Sequence, residues 1–171
     1  MKSQALHRHA GLDPASSALQ DGQAGLRVKP AMTLLAGLLM AVGALAQATP
    51  VGTWRNIDDK TGEPRAEIRI ADSGGVLTGT IVKRLAKDAK PGAVCGECKD
   101  DRKDKPIEGL EIIRGARKAS DRDVWEGGKI LDPENGREYT LRMTPVEDGR
   151  KLEVRGSIGP FGRTQTWVRV Q

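Results

Sequence analysis

From Gly52 onward the chain is cut at short intervals by turn-forming residues. These are Asp58-Asp59-Lys60-Thr61-Gly62, Asp72-Ser73-Gly74-Gly75, Asp132-Pro133-Glu134-Asn135-Gly136, Glu147-Asp148-Gly149-Arg150 and Gly159-Pro160-Phe161-Gly162. Glycine and asparagine supply positive φ, proline presets φ, and aspartate bonds its own backbone. The runs between them are strand-length and alternate with period two. Ala66, Ile68 and Ile70 alternate with Arg65, Glu67 and Arg69, and Leu77, Gly79 and Ile81 with Thr78, Thr80 and Val82. Tyr139, Leu141 and Met143 alternate with Glu138, Thr140 and Arg142, and Leu152, Val154, Gly156 and Ile158 with Lys151, Glu153, Arg155 and Ser157. In most of these runs one face is apolar and the other polar or charged, the pattern of an antiparallel sheet wetted on one side.

Further strands are expected at Leu110–Arg117, Val124–Glu126 and Gly127–Leu131. Gly52-Thr53-Trp54 opens the series and Gln165–Val170 closes it, which brings the count to about eight or nine. Strong first and last strands allow the sheet to close on itself and so remove its edges. The expected fold is therefore all-β, a small antiparallel up-and-down β-barrel of about eight strands. At that size the interior is either filled by side chains or holds one small ligand. One short helical turn fits best at Arg84–Lys90. The connection Ala86–Gly109 is long, polar and carries both cysteines, and a loop of this length in a compact domain is usually functional.

The N-terminal part reads as a leader. Residues 31–48, AMTLLAGLLMAVGALAQA, carry no charge and end in Ala46-Gln47-Ala48, the h-region and cleavage pattern of a secretory signal peptide. Residues 1–30 have no periodicity and are too long for an n-region, as expected if synthesis begins later, at Val28 or Met32. The domain division is then a leader at 1–48 and a single barrel domain at 49–171, placed in the periplasm or secreted, with no stable membrane span once the leader is cut.

The leader holds four Lys/Arg and two Asp/Glu, so 24 basic and 21 acidic residues remain, a net charge of +3. The charges are interspersed, which gives no nucleic-acid footprint. Both histidines, His7 and His9, fall in the leader. A domain without histidine has neither Ser-His-Asp nor Cys-His catalysis and no histidine metal ligand. No metal, no cofactor and no enzymatic activity are expected. Cys95-Gly96-Glu97-Cys98 lies among mixed charges without a helical pattern, so a local disulfide is the main reading and a thiol-disulfide centre the alternative. The Asp100-Asp101-x-x-Asp104 and Asp132–Gly136 groups lack calcium-loop spacing and read as solvated turns.

Two resemblances have residues behind them. Gly52-x-Trp54 with an arginine near the last strand resembles the structural signature of the calycins, antiparallel barrels that bind small, mostly apolar ligands. The lipocalin Thr-Asp-Tyr motif is missing. Over residues 51–170 the chain also resembles the bacterial domain of unknown function family number 2147, exported lipocalin-like domains. The words that carry this are Gly52-Thr53-Trp54, Asp59-Lys60-Thr61-Gly62, Gly79-x-Ile81-Val82-Lys83, Cys95-x-x-Cys98, Gly109-Leu110-Glu111-Ile112-Ile113, Gly127-Gly128-Lys129-Ile130-Leu131-Asp132-Pro133 and Phe161-Gly162-Arg163-Thr164-Gln165-Thr166-Trp167. The resemblance implies fold and export and brings no activity.

The leading expectation is a barrel that binds a small apolar or amphipathic ligand. The inward set is Trp54, Ile68, Ile70, Leu77, Ile81, Tyr139, Leu141, Met143, Leu152, Val154 and Ile158. Trp54, backed by Arg163 or Arg169 in a cation–π contact, is expected to close one end, with ligand entering opposite. The alternatives are a filled barrel that works through its surface as a cell-envelope interaction domain, and a thiol-disulfide enzyme at Cys95 and Cys98.

Overall fold

The computed structural model describes residues 48–170. The start-site and signal-peptide readings fall on residues outside that range, apart from Ala48. Eight strands follow one another: β1 (Gly52–Ile57), β2 (Pro64–Ser73), β3 (Val76–Arg84), β4 (Glu111–Lys118), β5 (Trp125–Asp132), β6 (Arg137–Val146), β7 (Lys151–Ile158) and β8 (Phe161–Arg169). Each pairs antiparallel with the next, and β8 returns to β1 through Trp54↔Arg169, Arg55↔Val168 and Asn56↔Trp167. The sheet is a closed up-and-down barrel.

The alternation sets the register. Ile68 and Ile70 on β2, Leu77 and Ile81 on β3, Leu141 and Met143 on β6, and Leu152 and Val154 on β7 are all buried. The arginines, lysines and glutamates between them face water. Burying each such aliphatic side chain contributes roughly 1.5–3 kcal/mol, so the inward parity alone fixes which face of each strand turns in.

Antiparallel succession divides the connections between two ends. The chain entry before β1 and the β2–β3, β4–β5 and β6–β7 connections lie at one end. The β1–β2, β3–β4, β5–β6 and β7–β8 connections lie at the other.

Two local expectations are corrected. Val124–Glu126 and Gly127–Leu131 form one strand, β5. Gly127 takes a positive φ of 80°, and a Cβ on Gly128 would lie 2.5 Å from the Ala116 nitrogen. The glycine pair therefore makes a bulge that presses β5 onto β4, with a register shift between Glu126 and Lys129, instead of a turn that ends it. Arg84–Lys90 forms no helical turn, and no helix occurs among the described residues. The Leu85 and Ala86 amides both donate to the Arg65 carbonyl, so the chain leaving β3 stays tied to β2.

The β3–β4 connection is pinned to the barrel. Its Cys95–Cys98 disulfide is buried, and a Val94↔Pro106 bridge closes its neck. Arg102 is the one buried charged side chain among the described residues. It donates to the Asp100 carboxylate, to Glu138 on β6 and to the Glu111 carbonyl on β4. Arg114 on β4 holds Asp101 through two bonds of 2.8 Å. A Cβ on Gly136 would lie 1.9 Å from the Glu97 carbonyl oxygen, so the disulfide turn rests directly on the β5–β6 turn. These attachments tie the connection to β4, β6 and the β5–β6 turn.

Candidate functional site

At the entry end Trp54 is fully buried, and its indole N–H donates to the Pro50 carbonyl at 2.6 Å. The Arg169 guanidinium lies over the ring with Cζ 4.1 Å from the centroid. The same fork donates to three carbonyls on two segments, Thr49 (2.8 Å), Val51 (2.9 Å) and Gly149 (2.6 Å). Gly52 is required beneath it. Its φ is +135°, and a Cβ there would sit 2.4 Å from Arg169 Nη1. Burial lowers the Arg169 pKa, and arginine stays charged even so. Arg163, the other arginine expected at this end, lies elsewhere. It sits near the start of β8, opposite Gly156, and its guanidinium pairs with Asp59 in the β1–β2 connection. An arginine at the start of an up-and-down strand is at the opposite end from one at its finish, so only Arg169 can reach Trp54.

The opposite end is hollow. A cavity of about 620 Å³ opens there, a size usual for small-molecule sites. Its apolar wall includes Ile68, Ile81, Ile107, Ile112, Ile130 and Val154. Trp167 is the most buried lining residue, and its indole N–H is without a hydrogen-bond partner among the described residues. Asn56 and Gln165 bond to each other on the same wall at 3.1 Å. Ile158 and Phe161 stand at the opening with 54% and 81% of their surface exposed, so they form an apolar rim. Ile158 is thus a mouth residue and not the interior one its parity suggested.

Of the other ten residues of the inward set, Ile68, Ile81, Tyr139 and Val154 line the cavity. Trp54, Ile70, Leu77, Leu141, Met143 and Leu152 do not. They are almost completely buried in the solid part of the barrel nearer the entry end. The division follows side-chain size. Along β2 the inward residues run Ile70, Ile68, Ala66 toward the mouth, and along β7 they run Leu152, Val154, Gly156. A Cβ on Gly156 would meet the Tyr139 Cβ at 3.2 Å, so the missing side chain makes room for the tyrosine.

Residues missed by sequence reasoning include Trp167, Asn56, Arg65 and Arg84. Trp167 was masked because Val168 beside it is also apolar yet 40% exposed, so the strand has no clean alternation. Arg84 depends on a bulge. Glu67 pairs with Lys83 and Ile68 with Ile81, which leaves Val82 unpaired. The extra residue reverses the parity of β3, and Arg84 comes opposite Ala66 at the cavity mouth.

Charged side chains surround the opening. Arg65 pairs with Glu134. Asp58 accepts the Thr61 and Lys60 amides, which hold its carboxyl below the usual range. Asp132 accepts from the Glu134 amide and the Asn135 side chain. The disulfide cysteines, 0% and 2% exposed, are shut away from solvent. Among the described residues no group of three or more His, Cys, Asp or Glu side chains is placed to hold a metal ion.

An eight-stranded closed antiparallel barrel, plugged by a Trp–Arg pair at one end and hollow at the other, is a lipocalin-like barrel. The chain belongs to the family described as "Uncharacterized protein conserved in bacteria (DUF2147)", whose model matches residues 52–169. Among solved structures it is similar to HP1028 of Helicobacter pylori, described as belonging to the lipocalin family. That likeness has a TM-score of 0.60 at 18% identity and covers 71% of this chain and 82% of the other. Identity this low speaks to the fold alone. No curated protein sequence matches significantly.

Proposed function

We propose that this domain is an exported binding protein, not an enzyme, and that its barrel carries a small, predominantly apolar ligand. The carrying observation is the cavity of about 620 Å³, whose buried lining is aliphatic apart from Trp167, whose charged lining residues are half-buried or exposed, and whose rim carries exposed Ile158 and Phe161. Water in an aliphatic-lined space gains few hydrogen bonds, so an apolar occupant is favoured there. A barrel filled throughout, working only through its surface, would not need the small inward residues Ala66 and Gly156 at the mouth. Export is supported by the apolar segment ending in Ala46-Gln47-Ala48 and by a disulfide, which belongs to oxidising compartments. A thiol-disulfide role has little support, since both sulfurs are buried and lie at no helix start.

The test is binding of the neutral dye N-phenylnaphthylamine, read by its fluorescence, with Val154→Trp as the blocking variant and Leu141→Met as the control in the solid half. Dye should bind the wild type and the control, and Val154→Trp should weaken binding by about tenfold or more. A wild type that retains no dye, together with no lipid extracted from the purified protein, would refute the carrier role.

A further inference from the structure

The carrier reading leaves the ligand's polar end unassigned, and the charges at the mouth address it. Six charged side chains line the cavity: Asp58, Arg65, Arg84, Asp132, Glu134 and Arg163. Five are already committed. Arg65 and Glu134 pair with each other, and Arg163 pairs with Asp59. Asp58 and Asp132 are each held by donors of their own turns. Arg84 differs. Its guanidinium donates to one neutral group, the Lys90 carbonyl at 2.9 Å, and has no carboxylate within ion-pairing distance among the described residues. A guanidinium has five N–H donors in a planar fork suited to two oxygens of one anion. Most of that fork is unused.

The backbone itself brings this side chain inward. Without the unpaired Val82, strand parity would send Arg84 to the outer face with Thr78, Thr80 and Val82. The bulge turns it to the cavity side. The Arg84 amide is fixed there by Glu108, and the neighbouring Leu85 and Ala86 amides are fixed by the Arg65 carbonyl. Bulges beside binding sites commonly re-aim a side chain in this way.

We infer that the cargo is an amphiphile with an anionic end group, whose apolar part lies along Ile68, Ile81 and Val154 and whose anion is taken by Arg84 at the mouth. This rests on the carrier reading and sharpens it. The recognised chemistry is a carboxylate or a phosphate on an apolar body. Because Arg84 is only half-buried, its pull on the anion is weakened by salt.

Three competitors with one chain length separate the possibilities: dodecanoate and dodecyl phosphate below their micelle-forming concentrations, and dodecanol below its solubility limit. Each is titrated against bound N-phenylnaphthylamine in the wild type, in Arg84→Gln and in Arg117→Gln, the last removing an exposed arginine of the outer face. The wild type should prefer at least one anion over dodecanol by about tenfold or more, the scale of a charge-assisted fork. Whether dodecanoate or dodecyl phosphate gains more identifies the end group. The preference should shrink as salt rises, should be lost in Arg84→Gln and should persist in Arg117→Gln. Dye binding in Arg84→Gln reports that the variant is folded. If dodecanol displaces dye as well as both anions do, or if Arg84→Gln keeps the preference, the inference is overturned and the carrier role stands. If the wild type binds no dye and no competitor, the carrier role fails and takes the inference with it.

Discussion

Arg169→Ala tests the plug at the entry end. The substitution removes a guanidinium that stacks on Trp54 and ties together Thr49, Val51 and Gly149, two stretches of chain far apart in sequence. The stacking is worth about 0.5–2 kcal/mol. The bonds to Thr49 and Val51 lie near the surface, where the freed carbonyls regain water, so each nets only about 0.5–1 kcal/mol. The Gly149 bond is more enclosed, and the arginine stem adds packing over the indole. Together the loss is about 3 kcal/mol, or a fall in Tm of about 10 °C for a domain of this size. Urea unfolding followed by tryptophan fluorescence should show a lower midpoint at an unchanged m-value. Arg169→Lys should recover less than half, since one ammonium cannot serve carbonyls on both segments and a ring at once. Arginine remains protonated throughout, so the deficit should be the same from pH 5 to pH 9. A loss below about 1 kcal/mol, or a lysine variant equal to wild type, would show that the Trp–Arg plug does not hold this end.

Gly52→Ala should destabilise by about 1–3 kcal/mol, because it combines a strained positive φ with a Cβ in the place of Arg169 Nη1, and pairing it with Arg169→Ala should relieve part of the cost in a double-mutant cycle. Replacing Cys95 and Cys98 by alanine should cost about 2 kcal/mol from loop-closure entropy, leaving a folded barrel that still binds dye; global unfolding of the variant would contradict the local role given to the disulfide. The Asp100 carboxyl is held down to about 2, chiefly by its hydrogen bond to Arg102. A depressed folded pKa gives stability that is complete above the unfolded value near 3.8 and is lost as pH falls toward 2. Between pH 4 and 2, Asp100→Asn should therefore lose less stability than wild type, and a parallel fall in both would contradict the assignment. Asp100 is 41% exposed, which keeps this difference small.

Strand order and inward parity were legible because hydrophobic alternation and turn chemistry agree through most of the chain. They failed where the backbone carries an irregularity that no residue announces. Gly127-Gly128 looks like a turn and makes a bulge, since the difference lies in how closely β4 approaches. Val82 looks like an ordinary outward residue and is the unpaired position that swings Arg84 inward. Arg163 and Arg169 look equivalent as basic residues near the last strand, yet a nine-residue strand sets its ends on opposite sides of a barrel. Knowing the direction of β8 would have been enough to choose between them.

The hollow was legible in a different property. Period-two alternation is blind to size, so it classes Leu152, Val154 and Gly156 together as inward. Read toward the mouth, that series loses volume at every step, and on β2 the isoleucines Ile70 and Ile68 give way to Ala66. Two tapering strands cannot fill a cylinder of constant width. Tyr139 takes up part of the deficit above Gly156, but the space beside Ala66 is left open between Ile68, Ile81 and Arg84. The entry end has no such shortage, because Trp54, Leu77, Met143 and Leu152 are fully buried core residues and Arg169 covers Trp54. One interior is therefore core at one end and cavity at the other, and the small residues at its mouth, rather than the large ones in its depth, mark where the space opens.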